Sequence, residues 1–240
     1  MTQCQKPEKS GLKNSTFEEN AEDNNIFNFP PINYRGMIMC GVPPEKESAF
    51  HERMIASGFP SALANITFEA LTIDGCNRAQ IKTAREFTET FSQHTNGCMY
   101  ICGEYGTGKT WLAAAIGNAV ARQYYRVRYG TFSGITDELI SAQKSGDYTD
   151  KWKCYAKRAE LLIIDDVGKE TPTGWKLQTL FRLIDERGNE NLSTIFTSNY
   201  GPTTLSTRIS ANKDDGITAG AIKDRLKRFT PLLLDGTSRR

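Results

Sequence analysis

The sequence has little histidine, no Cys-x-x-Cys pair, no long apolar run and no marked excess of one charge. Two of its 240 residues are histidine and six are cysteine, and the missing Cys-x-x-Cys spacing excludes paired zinc knuckles. No apolar run approaches the length of a membrane-spanning helix. Lys and Arg number 30 against 28 for Asp and Glu. Because these charges nearly balance, any contact with nucleic acid must come from a local patch.

The scattered cysteines favour a reducing compartment. Cys98 and Cys102 flank an apolar segment and are expected to be small core residues. Cys40 and His51 are two candidate metal ligands, but no further ligands lie near them in the sequence. The first residues contain no apolar signal core. A cytoplasmic location is therefore expected, with no membrane attachment.

Two regions differ in composition. Residues 1–64 are expected to form a small N-terminal extension and linker, partly disordered, since the first 30 or so residues are rich in Asn, Glu, Lys and Ser. The second part of this region contains two Pro-Pro pairs around a short apolar piece. Residues 65–240 alternate short apolar segments with amphipathic ones, which is typical of one α/β domain.

Five short apolar segments of the second region are predicted to be strands. They have the sequences CMYIC, YRVRYGTF, ELLIIDDVG, LSTIFTSNY and PLLLDG. The third contains four consecutive apolar residues, a run typical of a parallel strand buried on both faces. Helices are predicted between the strands, including a polar one at Tyr148–Ala159 and one that Gly188 ends. The pattern predicts a five-stranded, mostly parallel sheet flanked by helices.

A phosphate-binding loop follows the first predicted strand. The motif G-x-x-x-x-G-K-[ST] is formed by Gly103, Glu104, Tyr105, Gly106, Thr107, Gly108, Lys109 and Thr110. Its glycines let backbone N–H groups approach phosphate oxygens, and the helix that follows adds the positive end of its dipole. Lys109 is expected to reach the β- and γ-phosphates and Thr110 to ligate Mg²⁺. All eight residues, with Trp111 beside them, are expected to contact the nucleotide.

A pair of carboxylates ends the third predicted strand. Asp165 is expected to hold the water shell of Mg²⁺, and Asp166 to polarise an attacking water. Two adjacent acids at the end of a buried strand are difficult to explain structurally, because unpaired buried charges are costly. The loop and the carboxylates together indicate a nucleoside triphosphatase.

Four segments together carry a family resemblance. GEYGTGKTWLAAAIGNAV, LLIIDDVGKET, TIFTSNY and IKDRLKRF, in this order, resemble the DnaC/DnaI type of AAA+ ATPase, the replicative-helicase loaders. The first two motifs occur throughout P-loop ATPases, and the last two narrow the choice to this branch and its relatives, the IstB transposition helpers. The resemblance implies a P-loop AAA+ core that binds ATP and Mg²⁺.

The resemblance also implies roles for three polar residues. Asn199 would be sensor 1, which helps to place the attacking water, although a cap or turn is the alternative for an asparagine here. Arg225 would be an arginine finger inserted into a neighbouring subunit's site, against the alternative of a solvated helix arginine. Arg240 would approach the nucleotide late in the chain, with Arg239 as its competitor and a frayed terminus as the alternative.

One departure from the family concerns the second acid. Many AAA+ proteins have Asp-Glu where this chain has Asp165-Asp166. Because aspartate is shorter than glutamate, Asp166 must lie closer to the attacking water or act through another water. Slow hydrolysis, suited to a switch, is therefore expected.

Trp175 and Lys176 are candidate contacts to single-stranded DNA. The resemblance implies that they begin a helix which faces the central channel of a ring of subunits. The alternative is a tryptophan that packs this helix in the core. Arginines and tyrosines also alternate in ARQYYRVRYG, where ordinary surface positions are the preferred interpretation.

The resemblance implies as partners a replicative hexameric helicase held by residues 1–64, single-stranded DNA and further copies of the chain. An IstB-like helper of transposition is the alternative function, and a nucleotide kinase is a third hypothesis.

Overall fold

The computed structural model describes residues 46–93, 97–169, 174–210 and 216–236. Within these ranges five strands form one sheet: β1 (Met99–Gly103), β2 (Val127–Thr131), β3 (Leu161–Asp165), β4 (Ser193–Ser198) and β5 (Thr230–Leu234). Their order across the sheet is β2-β3-β4-β1-β5, and every pair is parallel. The predicted α/β class and its parallel sheet are confirmed.

The described helices precede and connect these strands. They are α1 (Glu47–Ala56), α2 (Arg78–Glu89), α3 (Lys109–Arg122), α4 (Phe132–Ser145), α5 (Tyr148–Lys153), α6 (Gly174–Asn189), α7 (Pro202–Ile209) and α8 (Gly216–Leu226). None of the helices in the described ranges is long and apolar enough to cross a membrane.

Local sequence signals explain several helix ends. The side chain of Thr131 accepts a hydrogen bond from the backbone N–H of Gly134 and caps the start of α4. Gly146, with a φ of 89°, ends that helix in the left-handed conformation. Pro202 occupies the first turn of α7, where its missing N–H costs nothing.

Alternate strand residues point to opposite faces of the sheet and form two separate cores. Met99 and Ile101 of β1 pack with α1, α2 and α3 in one buried cluster. Tyr100 and Cys102 pack with α4 to α8 in the other. The sheet is therefore the middle of three layers, and Cys98 and Cys102 are small core residues as predicted.

The residues just before position 65 pack on the same core. Phe50 and Met54 of α1, with Phe59 and Leu63 after it, belong to the cluster that contains β1 and α3. The division at residue 64 stays a prediction, and residues 1–45, with Cys40, lie outside the described ranges.

Two local predictions differ from the observed helices, and one helix was not predicted. The helix predicted for Tyr148–Ala159 changes to a π-helical turn at Cys154–Arg158, and the burial of Trp152 and Tyr155 gives this polar segment one face in the core. α6 passes Gly188 and ends at Asn189. α7 was not predicted, because its eight residues carry only two buried apolar positions, Leu205 and Ile209.

Candidate nucleotide-binding site

The glycine-rich loop joins β1 to α3 at the carboxyl edge of the sheet. Gly106 and Gly108 have φ values of 81° and 90°, which side chains with a Cβ rarely adopt. A Cβ on Gly103 would lie 2.1 Å from the carbonyl oxygen of Leu234 in β5, so only glycine fits there. The loop from Tyr105 and the start of α3 line one cavity, which is the arrangement in which helix N-termini bind anions.

Lys109 lies under this loop and is 6% exposed. Its ammonium donates to the carbonyl oxygens of Gly103, at 3.0 Å, and Glu104, at 2.7 Å. Thr107 donates to the same Glu104 carbonyl at 2.9 Å. A buried cation is thus held by loop carbonyls at the wall of the cavity.

Asp165, at the end of β3, is 3% exposed and accepts hydrogen bonds from three side-chain hydroxyls. Thr110 of α3 lies 3.0 Å and 3.1 Å from its two oxygens. Tyr129 of β2 donates to Oδ2 at 2.6 Å, and Thr197 of β4 donates to Oδ1. Burial, together with the charge of Asp165, raises the pKa of the Tyr129 phenol, so this hydroxyl stays a donor. The carboxylate is fixed from three elements.

Asp166 has a left-handed backbone, with a φ of 58°, which is unusual for a residue with a side chain. Its N–H donates to the hydroxyl of Thr197 at 2.9 Å. Its carboxylate lines the cavity and lies 3.4 Å from the ammonium of Lys169. Strained backbone of this kind is frequent at functional sites.

Asn199 follows β4 and lines the same cavity as Lys109, Thr110 and Asp166. This convergence follows from the strand order, because β4 lies between β1 and β3. The carboxyl ends of adjacent parallel strands are where α/β sheets bind ligands.

The cavity has a volume of about 710 Å³, and part of its lining was not predicted from the sequence. This part consists of residues that precede the glycine-rich loop: Leu63, Ala70, Leu71, Thr72, Asn77 and Ile81. Asn77 donates to the carbonyl of Thr72 at 2.8 Å, while Asp74 accepts from the N–H groups of Cys76 and Asn77. The Asp-Gly turn in this segment was the available signal for an ordered loop.

The aromatic residues of the loop lie at the surface. Tyr105 is 67% exposed and Trp111 is 44% exposed, and both line the cavity. Each therefore has a free face beside the position expected for the nucleotide.

Arg225 is absent from the cavity lining, as far as the described residues show. It lies on α8, where its guanidinium pairs with Asp185 of α6 at 2.7 Å and lies 4.4 Å from the centre of the Phe181 ring. Within one chain it is a helix-to-helix contact. Its predicted role in a neighbour's site stays a prediction.

The predicted DNA contacts begin α6. Trp175 is partly buried against the cluster of α4 to α8, and Lys176 lies 3.4 Å from Asp137. Their role also stays a prediction. Arg239 and Arg240 lie outside the described residues.

The arginines of ARQYYRVRYG are engaged within the fold. Arg122 pairs with Glu47 at 2.9 Å, Arg126 with Glu160 at 3.6 Å, and Arg128 donates to the carbonyl of Ala56 at 3.0 Å. These contacts favour the structural interpretation over a DNA-binding one.

Comparisons with known proteins give a family match and named relatives. The model of the family described as IstB-like ATP binding protein matches residues 50–238. The replicative helicase loader DnaI of Bacillus subtilis (strain 168) is 26% identical over 185 residues, which cover 74% of this chain and 59% of that protein. An insertion sequence ATP-binding protein of Sinorhizobium fredii is 32% identical over 126 residues, covering 52% and 48%.

A solved structure is also similar. The crystal structure of a DnaI superposes with a TM-score of 0.63 at 25% identity, covering 76% of this chain and 94% of that one. The chain spans only 59% of the length of the curated DnaI relative. The comparison therefore concerns the shared domain.

Proposed function

Because the chain belongs to the family of IstB-like ATP binding proteins, we propose that it is an ATP-dependent loader of a replicative hexameric helicase onto single-stranded DNA. The proposal depends most on one observation: Lys109, Thr110, Asp166 and Asn199 line one cavity, with Asp165 bonded to Thr110 behind them. A relative named as a replicative helicase loader supports the biological role.

The residues fit a magnesium nucleotide. Gly106 and Gly108 give the loop the left-handed backbone that lets N–H groups surround phosphate, and the ammonium of Lys109 would supply positive charge to it. The hydroxyl of Thr110 and the carboxylate of Asp165 are the oxygen donors that Mg²⁺ prefers. The metal would neutralise charge that develops on the phosphate oxygens.

Asp166 and Asn199 would act on the attacking water. The carboxylate of Asp166 would polarise it and the amide of Asn199 would orient it. The ammonium of Lys169, 3.4 Å from Asp166, competes for the same carboxylate. That contact and the short side chain of Asp166 both support slow hydrolysis, which suits a switch.

The end of the cavity lined by Leu63, Leu71 and Ile81 would hold the base. These side chains supply apolar surface, and the ordered loop around Thr72 and Asn77 supplies polar backbone groups at its edge. An apolar slot with a few fixed polar groups is typical of small-molecule sites. The description of the family as ATP binding supports ATP as the nucleotide that would occupy this slot.

Self-association would complete the site. Arg225 of one chain would reach the phosphate end of its neighbour's cavity, exchanging its contact with Asp185 for the transferred phosphate.

A mixture of Arg225→Ala and Lys109→Ala chains tests this, because each is expected to be inactive alone. In the mixture, the intact loop of an Arg225→Ala chain can meet the intact Arg225 of a Lys109→Ala chain, so hydrolysis should return. A mixture as inactive as either variant alone would exclude a role of Arg225 between subunits.

A second candidate function is an ATPase helper of DNA transposition. The 32% identity to the insertion sequence ATP-binding protein favours it. The choice between the two depends on the partner. A transposase bound in place of a helicase would support the second candidate.

Co-purification with candidate helicases and transposases tests the proposal. Wild type should retain a replicative hexameric helicase in the presence of ATP, while Lys109→Ala should lose this dependence on ATP. Lys144→Ala, which changes an exposed lysine of α4, is the matched control and should behave as wild type. Equal helicase retention by Lys109→Ala and wild type, with and without ATP, would contradict a nucleotide-controlled loader.

A further inference from the structure

Tyr129 is a buried tyrosine that the proposed chemistry has not used. It lies on β2, an edge strand of the sheet, and is 4% exposed. Its hydroxyl donates to Oδ2 of Asp165 at 2.6 Å, while Thr197 donates to Oδ1. The two hydroxyls hold the carboxylate from the two strands that flank β3. The sheet itself therefore supplies two of the three hydroxyls that orient the carboxylate, and Thr110 of α3 supplies the third.

The turn after α1 holds Tyr129 in place. The backbone N–H of Tyr129 donates to the carbonyl of Ser57 at 2.9 Å. Gly58, with a φ of 93°, lies so close that a Cβ would be 2.2 Å from the carbonyl oxygen of Tyr129. The ring of Phe59 packs on the tyrosine ring, with centroids 5.0 Å apart. Backbone and ring are therefore both fixed by Ser57–Phe59.

We propose that Tyr129 is a positioning residue, which orients Asp165 for magnesium and is itself held by the turn Ser57–Phe59. The inference rests on the proposed function of the site, namely that Thr110 and Asp165 hold magnesium beside a nucleotide. Partners of a metal-facing carboxylate fix its orientation, and their loss typically lowers metal affinity or activity about 10–100-fold.

The test is the magnesium dependence of nucleotide binding in Tyr129→Phe. A fluorescent ATP analogue is titrated at a series of Mg²⁺ concentrations and without Mg²⁺, and the unfolding temperature is measured in parallel. Tyr155→Phe is the matched control, since Tyr155 is also buried and its hydroxyl donates to another carboxylate, that of Glu138, at 2.6 Å. Phe59→Leu is a second variant that keeps the hydroxyl and removes the supporting ring.

Tyr129→Phe should raise about tenfold the Mg²⁺ concentration at which the tightening of nucleotide binding is half-maximal. Nucleotide binding without Mg²⁺ should be unchanged. Phe59→Leu should shift this Mg²⁺ concentration in the same direction by less, and Tyr155→Phe should not shift it. Suppose that Mg²⁺ tightens nucleotide binding by wild type and that Tyr129→Phe and Phe59→Leu need a Mg²⁺ concentration within twofold of the wild-type value. The positioning role is then wrong, although the proposed function stands. If wild type binds no nucleotide, the positioning role and the proposed function are both wrong. Should Tyr129→Phe fold poorly, Phe59→Leu decides by the same criterion.

Discussion

The two ends of strands β3 and β4 each bury a charge, and they do so in different ways. At the carboxyl end, Asp165 is held by side-chain hydroxyls beside an open cavity. At the amino end, Arg187 of α6 is fully buried. It donates to the carbonyl oxygens of Tyr155 at 2.7 Å, Ala159 at 2.9 Å and Ser193 at 2.5 Å. Burial lowers the pKa of Arg187 to about 9, so it remains a cation at neutral pH.

The difference lies in the partners. Backbone carbonyls cannot rotate away, so Arg187 fastens the π-helical turn and the starts of β3 and β4 to α6. Hydroxyls can turn and exchange partners, which agrees with the proposed role of Thr110 and Asp165 as magnesium ligands. The contacts at the amino end serve the stability of the fold, and those at the carboxyl end suit the binding role proposed for them.

The largest effect on folding should come from Arg187→Ala. It leaves several buried carbonyls without their donor, at about 1–3 kcal/mol each, so unfolding free energy should fall by roughly 4 kcal/mol. Urea unfolding measures this. Arg182→Ala, on an exposed ion pair of the same helix, should cost less than about 1 kcal/mol. An equal loss of unfolding free energy in Arg187→Ala and Arg182→Ala would remove the distinction between the amino and carboxyl ends of the strands.

Asp166→Asn should separate hydrolysis from binding at the carboxyl end. Loss of the base is expected to slow phosphate release at least about 100-fold, while nucleotide affinity changes little. Steady-state phosphate release and equilibrium binding on the same preparation check this. Undiminished turnover would exclude Asp166 as the base.

Asp165→Asn gives the direct contrast with Arg187. The amide can still bond to the surrounding hydroxyls, so unfolding free energy should change by about 1 kcal/mol at most. The magnesium requirement for nucleotide binding should rise by at least about tenfold, since a ligand charge is lost. A loss of stability as large as that of Arg187→Ala would mean that both ends serve the fold.

A further effect, confined to DNA binding, is expected at the start of α6, the helix that joins the two ends. Trp175→Ala should weaken single-stranded DNA binding by about 1–3 kcal/mol if one base stacks on the ring. ATP binding should be unchanged. Fluorescence anisotropy with a labelled oligonucleotide measures this, and unchanged DNA affinity would favour a purely packing role against the α4-to-α8 cluster.

Features encoded by adjacent residues were predictable. Glycine spacing predicted the loop, the run before Asp165 predicted a buried strand, and the parallel sheet then brings Asn199 to the same edge. The resemblance to DnaC/DnaI-type proteins, drawn from these motifs, is confirmed by the family match and the named relatives.

Features that depend on packing were not predictable. Arg187 looks like an ordinary cation in the last turn of a helix, and only the fold shows it enclosed by carbonyls. Tyr129 meets Asp165 because β2 lies beside β3, a pairing that no local pattern reveals. The part of the cavity proposed to hold the base is lined by residues spread over positions 63–81, and its apolar ones resemble any core residues in the sequence.

The most direct test of the account is helicase loading itself. A replicative hexameric helicase is incubated with circular single-stranded DNA and wild-type or Lys109→Ala protein, with and without ATP, and DNA-bound helicase is measured after gel filtration. Substantial loading is expected only from the wild-type protein with ATP. Loading that is equal for wild type and Lys109→Ala, or independent of ATP, would contradict it.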